Sequence, residues 1–118
     1  MTTYLASPYS HPDPAVREAR FEAACRATAA LIRQGKTVLS PVVHSHPLCR
    51  FGLPGDWGFW QGLDLHYLAV CSELVVLKLD GWQQSQGVQA EIAMARALGK
   101  PVSFIEPDSV ANEDSSGS

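Results

Sequence analysis

The chain of 118 residues is long enough for one compact domain and too short for two. Its composition, 46% hydrophobic and 18% charged, is that of a globular protein, and its net charge of −3 argues against a nucleic-acid polymer as partner, since that requires a basic surface. Its three cysteines follow no CxxC spacing and no apolar run approaches membrane-spanning length, so we expect a cytoplasmic protein with neither a disulfide framework nor a membrane contact.

The N-terminal part of the chain is predicted to form a strand and a long helix. The strand covers residues 2–6 and stops before Pro8, which opens a loop. Asp13 followed by Pro14 is typical of a helix start, and the helix should continue to about Gln34. Its predicted inner face consists of Val16, Phe21, Ala24, Thr28, Leu31 and Ile32.

The middle of the chain contains a second strand, a long loop and a second helix. The strand is predicted over residues 37–43, although Pro41 places its far half at an edge or outside the sheet. Residues 44–56 contain two prolines and two glycines and are predicted to be a loop. The second helix follows over residues 57–71, with Asp56 as a candidate N-cap. Its predicted apolar stripe is Trp60, Leu63, Tyr67, Leu68 and Cys71.

The C-terminal part adds a strand, a helix and a last strand. An apolar run over residues 74–79 predicts a buried strand, and helical spacing follows over residues 86–98 with Ser85 as N-cap. The predicted packing face of this third helix is Val88, Ile92, Ala95 and Leu98. The last strand covers residues 101–105. We therefore expect one domain over residues 1–105 and a disordered acidic tail over residues 106–118.

The alternation of strands and helices, without hairpin signals, predicts a parallel α/β sheet. We expect a three-layer fold of the flavodoxin or Rossmann kind, with helices on both faces and the strand order 2-1-3-4. In this order the connections leave strands 1 and 3 in opposite directions, so a crevice opens at their C-terminal ends. The loops above it contain Ser7, Pro8, Tyr9 and Ser10 on one side and residues 80–85 on the other, and we expect them to contact a ligand.

Two carboxylates have positions that permit a chemical role. Glu91 lies in or beside the apolar stripe of the third helix, where a buried carboxylate is costly unless it is hydrogen-bonded or lines a cavity. It is equally compatible with a border position from which the side chain reaches solvent. Asp64 lies on the second helix next to Leu63, and a solvent-facing position would be ordinary. If both faced the crevice, they would supply the nucleophile and the acid/base that glycosidic cleavage requires.

The turn before the third helix offers a weak anion-binding signal. Ser85, Gln86 and Gly87 stand where free backbone N–H groups are available, and glycine allows close approach. The turn has neither the lysine of a P-loop nor a GxGxxG pattern, so Ser85 is also compatible with a plain N-cap. Five aromatic residues would each serve to stack a base or to fill the core: Tyr4, Tyr9, Trp57, Trp60 and Trp82.

His44, His46 and Cys49 form an HxHxxC cluster that permits a metal interpretation. Pro47 constrains this loop and no fourth ligand is evident, which favours a polar pocket wall instead. We therefore expect no metal and no cofactor.

Three segments carry a resemblance to a known family: YLASPYS near the N-terminus, DLHYLAVCSELVVL in the middle and GWQQSQGVQAEIAMA after it. They resemble the nucleoside 2-deoxyribosyltransferase superfamily, which includes the deoxynucleoside 5′-monophosphate N-glycosidases. The resemblance extends from Thr3 to about Ile105. Its most specific part is the pattern Ser85-x-Gly87-x3-Glu91-x3-Ala95.

The resemblance implies roles for individual residues. Glu91 would be the nucleophile that attacks the anomeric carbon, Asp64 would assist as acid/base or base-positioning group, and Tyr4 would shape the pocket. Transferases acting on free nucleosides tend to carry aspartate where Ser85 stands, so serine favours a nucleoside monophosphate. The monophosphate hydrolases also place a serine and an arginine in the first loop, where this chain has Pro8 and Ser10. The cation would then come from His44, His46, Arg50 or a neighbouring subunit.

These expectations lead to three hypotheses about function. The first is hydrolysis of the N-glycosidic bond of a nucleoside 5′-monophosphate, with the base near Trp82 or Tyr4 and the phosphate on Ser85 and Gly87. The second is base exchange at the same site. The third is a nucleotide-binding module without turnover. The resemblance further implies a homodimer or higher homo-oligomer, since such sites are often completed across a subunit interface.

Overall fold

The four strands form one parallel sheet. The computed structural model describes residues 1–108, so residues 109–118 of the predicted tail lie outside the described part. The strands are β1 (Thr2–Ala6), β2 (Thr37–Leu39), β3 (Glu73–Leu77) and β4 (Val102–Ile105). Their order is β2-β1-β3-β4 and every pairing is parallel. The predicted strand order is confirmed.

The helices begin at the residues whose side chains cap them. They are α1 (Pro14–Arg33), α2 (Pro41–Ser45), α3 (Trp57–Val70) and α4 (Gln86–Ala97), with a 3-10 helix at His46–Phe51. The side chains of Asp13, Asp56 and Ser85 accept hydrogen bonds from backbone N–H groups in the first turns of α1, α3 and α4, which confirms all three predicted N-caps. Across residues 1–108 we find no helix with the length and apolarity that crossing a membrane would take.

The sheet separates two apolar layers because strand side chains alternate between faces. Tyr4 and Ala6 of β1 pack with Leu68 of α3 and Ile92 of α4. Leu5, on the opposite face, packs with residues of α1. The predicted three-layer arrangement with helices on both faces is therefore confirmed.

The segment after β2 differs from the prediction. The strand ends at Leu39, and the predicted far half of the strand and first part of the loop are helical instead. The cause lies in Ser40 and Pro41: the Ser40 hydroxyl accepts from the Val43 N–H, and proline occupies the first helical turn. The same start signal is present at Asp13 and Pro14, but here the β-branched Val42 and Val43 favour the prediction of a strand.

Three positions predicted to face the core are exposed: Ile32, Leu63 and Leu98. On α1 the sheet is contacted by small residues, Ala27 and Ala30, because they allow the helix to approach closely. On α3 the helix is rotated so that Asp64, the neighbour of Leu63, is buried. A period of 3.6 residues fixes a helix face only approximately, so neighbouring positions at its border are easily exchanged.

Candidate active site

A cavity of about 550 Å³ lies at the C-terminal ends of β1 and β3. It is the crevice that the strand order predicts, since ligands of such sheets bind where the chain connections diverge. Its walls come from the loop after β1, from α2, from the beginning of α3, and from the turn between β3 and α4. Both faces of the sheet thus contribute side chains to one hollow.

The two predicted carboxylates both line this cavity. Glu91, in the second turn of α4, is 5% exposed, and Asp64, in the middle of α3, is 8% exposed. A border position for Glu91 and a solvent-facing position for Asp64 are inconsistent with this burial. Two acidic side chains, far apart in sequence, therefore share one cavity.

Glu91 is held by Tyr4, whose side chain is fully buried on β1. The Tyr4 hydroxyl donates a hydrogen bond to Glu91 Oε2. Burial raises the pKa of Glu91 to about 8, the hydrogen bond from Tyr4 opposes this rise, and the nearby charge of Asp64 adds to it. The pKa of Tyr4 is also raised, chiefly by burial and then by the two carboxylates, so Tyr4 stays a hydrogen-bond donor.

Asp64 differs from Glu91 because its Oδ1 has no hydrogen-bond partner among residues 1–108. Burial raises its pKa to about 6. Two further buried oxygens that line the cavity, the hydroxyls of Ser7 and Ser45, likewise have no partner in this part of the chain. Buried polar atoms are nearly always hydrogen-bonded in proteins, so three orphaned oxygens around one cavity indicate a site built for a polar ligand.

The wall beside Glu91 is the first turn of α4. Ser85 caps this helix by accepting from the Val88 N–H. Gly87 packs against the indole of Trp57, and a Cβ at this position would come within 2.9 Å of the ring. Glycine is therefore required here so that an aromatic surface can lie against the helix N-terminus.

Arg20 contributes a cation to the cavity wall. Its guanidinium donates to the backbone carbonyls of Ser10, at 3.0 Å, and Asp80, at 3.2 Å, and so connects the loops that follow β1 and β3. Gly81 has a φ of 90°, and a Cβ there would lie 2.7 Å from the guanidinium. Burial lowers the pKa of Arg20 and Asp80 opposes this, but an arginine remains charged at neutral pH.

Sequence reasoning missed Arg20 because α1 covers the opposite face of the sheet from Glu91. A usable signal existed. Each helix that follows a strand begins at the cavity edge, so cations in the first two turns of α1 lie near it. For Trp57 the sequence indicates only a general aromatic surface, and Ser45 lies in a segment that the sequence predicts to be a loop.

The other predicted binding residues divide into two groups. Tyr9 and Ser10 line the cavity, whereas Pro8 is fully buried and does not line it. His44 is exposed and contacts the ring of Tyr67, and Trp82 packs against Phe104; neither lines the cavity.

The HxHxxC cluster does not converge on a common point. In the described residues, 1–108, no group of three or more histidine, cysteine or acidic side chains is arranged to hold a metal ion. His46 instead lies between the Tyr9 hydroxyl, at 2.6 Å, and Glu18 Oε1, at 2.9 Å. His46 lines the cavity, which agrees with the alternative of a polar pocket wall.

Comparison with solved structures relates this fold to an enzyme. The 2-deoxyribosyltransferase of the psychrotolerant bacterium Bacillus psychrosaccharolyticus superposes with a TM-score of 0.66 at 26% sequence identity. The match covers 91% of this chain and 73% of that one. A search among curated proteins gave no match. A family model described as a domain of unknown function, DUF1937, matches residues 1–107, and the chain therefore belongs to that family.

Proposed function

We propose that this protein cleaves the N-glycosidic bond of a nucleoside 5′-monophosphate, with Glu91 as the nucleophile. The observation that carries the proposal is the presence of two buried carboxyl groups, Glu91 and Asp64, in one cavity. The similarity to a 2-deoxyribosyltransferase supports a glycosyl substrate. Tyr4 supports the choice of Glu91, because its hydrogen bond fixes one carboxylate oxygen and leaves the other to attack.

The reaction proceeds in two steps. Glu91 attacks C1′ while the bond from C1′ to the base nitrogen breaks, and its electron pair leaves with the base as Asp64 donates a proton. The product is a glycosyl ester of Glu91. Asp64 then removes a proton from water, the resulting hydroxide attacks C1′, and the ester bond breaks to restore Glu91.

The phosphate binds at the N-terminus of α4, between the first turn of that helix and Arg20. The free N–H groups and partial positive charge of a helix N-terminus favour an anion, and Arg20 supplies the full charge that the first loop lacks. The orphaned hydroxyl of Ser7 gives a further polar contact in the same cavity. These contacts replace the cation that the sequence suggested at His44, His46 or Arg50.

Substitution of Arg20 by glutamine tests this phosphate site. Loss of a charged hydrogen bond costs on the order of 1.5 to 3 kcal/mol, so we expect KM for the monophosphate to rise by about 10- to 100-fold. KM for the corresponding nucleoside should change little. Steady-state kinetics with both substrates measure this difference, and Arg26→Gln, at an exposed position on the same helix, is the matched control. Equal losses for both substrates would assign Arg20 to loop positioning rather than to phosphate binding.

The two carboxyl groups predict a bell-shaped dependence of kcat/KM on pH. Catalysis needs one proton on the pair, on Asp64 and not on Glu91. The raised pKa values give a singly protonated pair between about 6 and about 8 in which the proton lies mainly on Glu91, so the reactive form is the minor tautomer of that pair. The alternative tautomer, with the proton on Glu91, holds the same number of protons and therefore leaves the shape of the profile unchanged. Initial rates measured from about pH 5 to about pH 9 should show both limbs. A profile that stays flat over this range would show that the two carboxyl groups take no part in proton transfer or nucleophilic attack.

The same site supports base exchange as a second candidate, which the 2-deoxyribosyltransferase similarity favours. A second base would then replace water in attacking the glycosyl ester of Glu91. Incubation of the protein with nucleoside monophosphates, with and without a labelled second base, separates the candidates. Free base without labelled nucleotide indicates hydrolysis, and labelled nucleotide indicates transfer. Release of no base from any nucleoside or monophosphate would contradict both.

We further infer a homodimer from one exposed surface. Phe59, Leu63 and Val70 leave apolar side chains in solvent along α3, the helix that carries Asp64. An apolar stripe of this kind is a suitable surface for a second copy. Sedimentation equilibrium of the wild type and of Leu63→Glu tests the inference, and a monomer at high concentration would contradict it.

A further inference from the structure

A chain of three hydrogen-bonding side chains connects the cavity with solvent. The Tyr9 hydroxyl lies 2.6 Å from His46 Nδ1, and His46 Nε2 lies 2.9 Å from Glu18 Oε1. Tyr9 and His46 line the cavity, while the Glu18 side chain is 55% exposed. Phe21 stacks on the imidazole at a centroid distance of 4.4 Å and holds its plane. The mechanism proposed above does not use these three side chains.

Glu18 fixes the direction of the hydrogen bonds. A carboxylate only accepts hydrogen bonds, so His46 Nε2 is the donor of this contact and carries a proton. When His46 is neutral, its Nδ1 is therefore an acceptor, and the Tyr9 hydroxyl donates its proton to it. Tyr9 then presents only oxygen lone pairs to a ligand.

Protonation of His46 reverses this bond. Both ring nitrogens then donate, so Nδ1 donates to the Tyr9 oxygen and the hydroxyl proton is free to turn toward a ligand. Burial and then Cys49 raise the pKa of Tyr9 to about 12, and Arg17 opposes this rise, so Tyr9 remains a neutral phenol in both states. Only the direction of its hydrogen bond changes.

The hydrogen-bonded side chains of Tyr9 and His46 lie on the side of the cavity that we assign to the base. The proposed phosphate site lies at α4, on the β3 side of the cavity, and Glu91 lies next to it. Tyr9 follows β1, and His46 follows β2 on the opposite side. With the phosphate at α4 and C1′ at Glu91, the part of the cavity beside Tyr9 and His46 is available to the base.

We propose that Tyr9, with His46 and Glu18 behind it, selects the base by the hydrogen-bonding group at its edge. With neutral His46 the site accepts from an amino group, and with protonated His46 it donates to a carbonyl. The proposal rests on the proposed function for the class of ligand and for the placement of the phosphate at α4 and of C1′ at Glu91. It makes amino and carbonyl bases exchange preference when His46 gains a proton as the pH falls.

The experiment uses matched nucleotides that differ at this edge, the 5′-monophosphates of 2′-deoxyadenosine and 2′-deoxyinosine. Calorimetry with Glu91→Gln, which cannot turn them over in the proposed mechanism, gives both Kd values from about pH 8 to about pH 5.5. We expect the ratio of the two affinities to shift toward the inosine nucleotide by about tenfold or more as the pH falls, because each state leaves one ligand with an unpaired polar group.

Variants separate His46 from the other groups that titrate near it. The charged and titratable groups next to these three side chains are Glu18, Arg17 and Cys49. Asp64, His11, Asp56 and Arg20 line the same cavity. All of them are retained in every variant, so a difference between variants does not come from them. Tyr9→Phe and His46→Gln, each combined with Glu91→Gln, should make the affinity ratio independent of pH. His44→Gln, at an exposed histidine outside the cavity, should leave the shift intact.

Two results would overturn the inference. If the affinity ratio does not change with pH, or if Tyr9→Phe keeps the full shift, Tyr9 and the two side chains behind it do not select the base. Either result leaves the release of base by the wild type in place and so does not affect the proposed function. If the folded protein binds neither nucleotide at any pH and releases no base, the proposed function and this inference both fail.

Discussion

Replacement of Glu91 by glutamine should abolish base release and leave both the fold and nucleotide binding intact. Glutamine has the same shape, and its amide oxygen accepts the hydrogen bond from Tyr4 that Glu91 accepts in the wild type. An amide is not a nucleophile for C1′, so we expect the single-turnover rate to fall by about three orders of magnitude or more. Quenched assays of free base measure this rate, and calorimetry measures the retained affinity.

The matched control is Glu22→Gln, which makes the same chemical change at an exposed position of α1. Its rate should equal that of the wild type. If the wild type and Glu91→Gln bind nucleotide equally and neither releases base, the protein is a binding module and not an enzyme. If Glu91→Gln releases base at the wild-type rate, the nucleophile is another group.

The fold was predictable because its signals are local and repeated. Four apolar strands separated by capped helices leave few arrangements, and the strand order follows from right-handed parallel connections. The N-caps at Asp13, Asp56 and Ser85 depend on three or four adjacent residues each, and all three are present. The pair Ser40 and Pro41 carried the same information, but two valines after it had the composition of a strand.

Only the part of the site that lies on α4 was predictable from the sequence. Glu91 stands out because it interrupts an apolar stripe, and the burial of that position agrees with the pattern. Asp64 could not be separated from Leu63 in the same way, because neighbouring residues on a helix differ by about 100° and a border residue falls on either side. Arg20 could have been placed near the cavity from its position in the second turn of α1, whereas Ser45 and Trp57 are brought there only by the tertiary structure.

Asp64 and Glu91 should each make the free energy of unfolding fall as the pH rises between about 4 and about 8. In the unfolded chain Asp64 and Glu91 lose their protons near the ordinary pKa values of 3.8 and 4.5, whereas in the folded protein they keep them to about 6 and about 8. Between these limits the folded state binds more protons than the unfolded state, so a higher pH favours unfolding. Each group contributes a slope of up to about 1.4 kcal/mol per pH unit within its own window.

Urea unfolding of the wild type, Glu91→Gln, Asp64→Asn and Glu22→Gln over this pH range tests the prediction. Other acids add their own terms, and Glu73, whose pKa is lowered chiefly by its hydrogen bond with Thr3, contributes with the opposite sign. The difference between each variant and the wild type isolates one group, because the remaining acids are common to both.

Glu91→Gln should gain stability relative to the wild type between pH 4.5 and about 8, and Asp64→Asn between pH 3.8 and about 6. Glu22→Gln, the same chemical change at an exposed position, is the matched control. If the Glu91→Gln and wild-type curves were parallel, the Glu91 carboxyl would titrate as it does in water, and the buried pair on which the proposed chemistry depends would not exist.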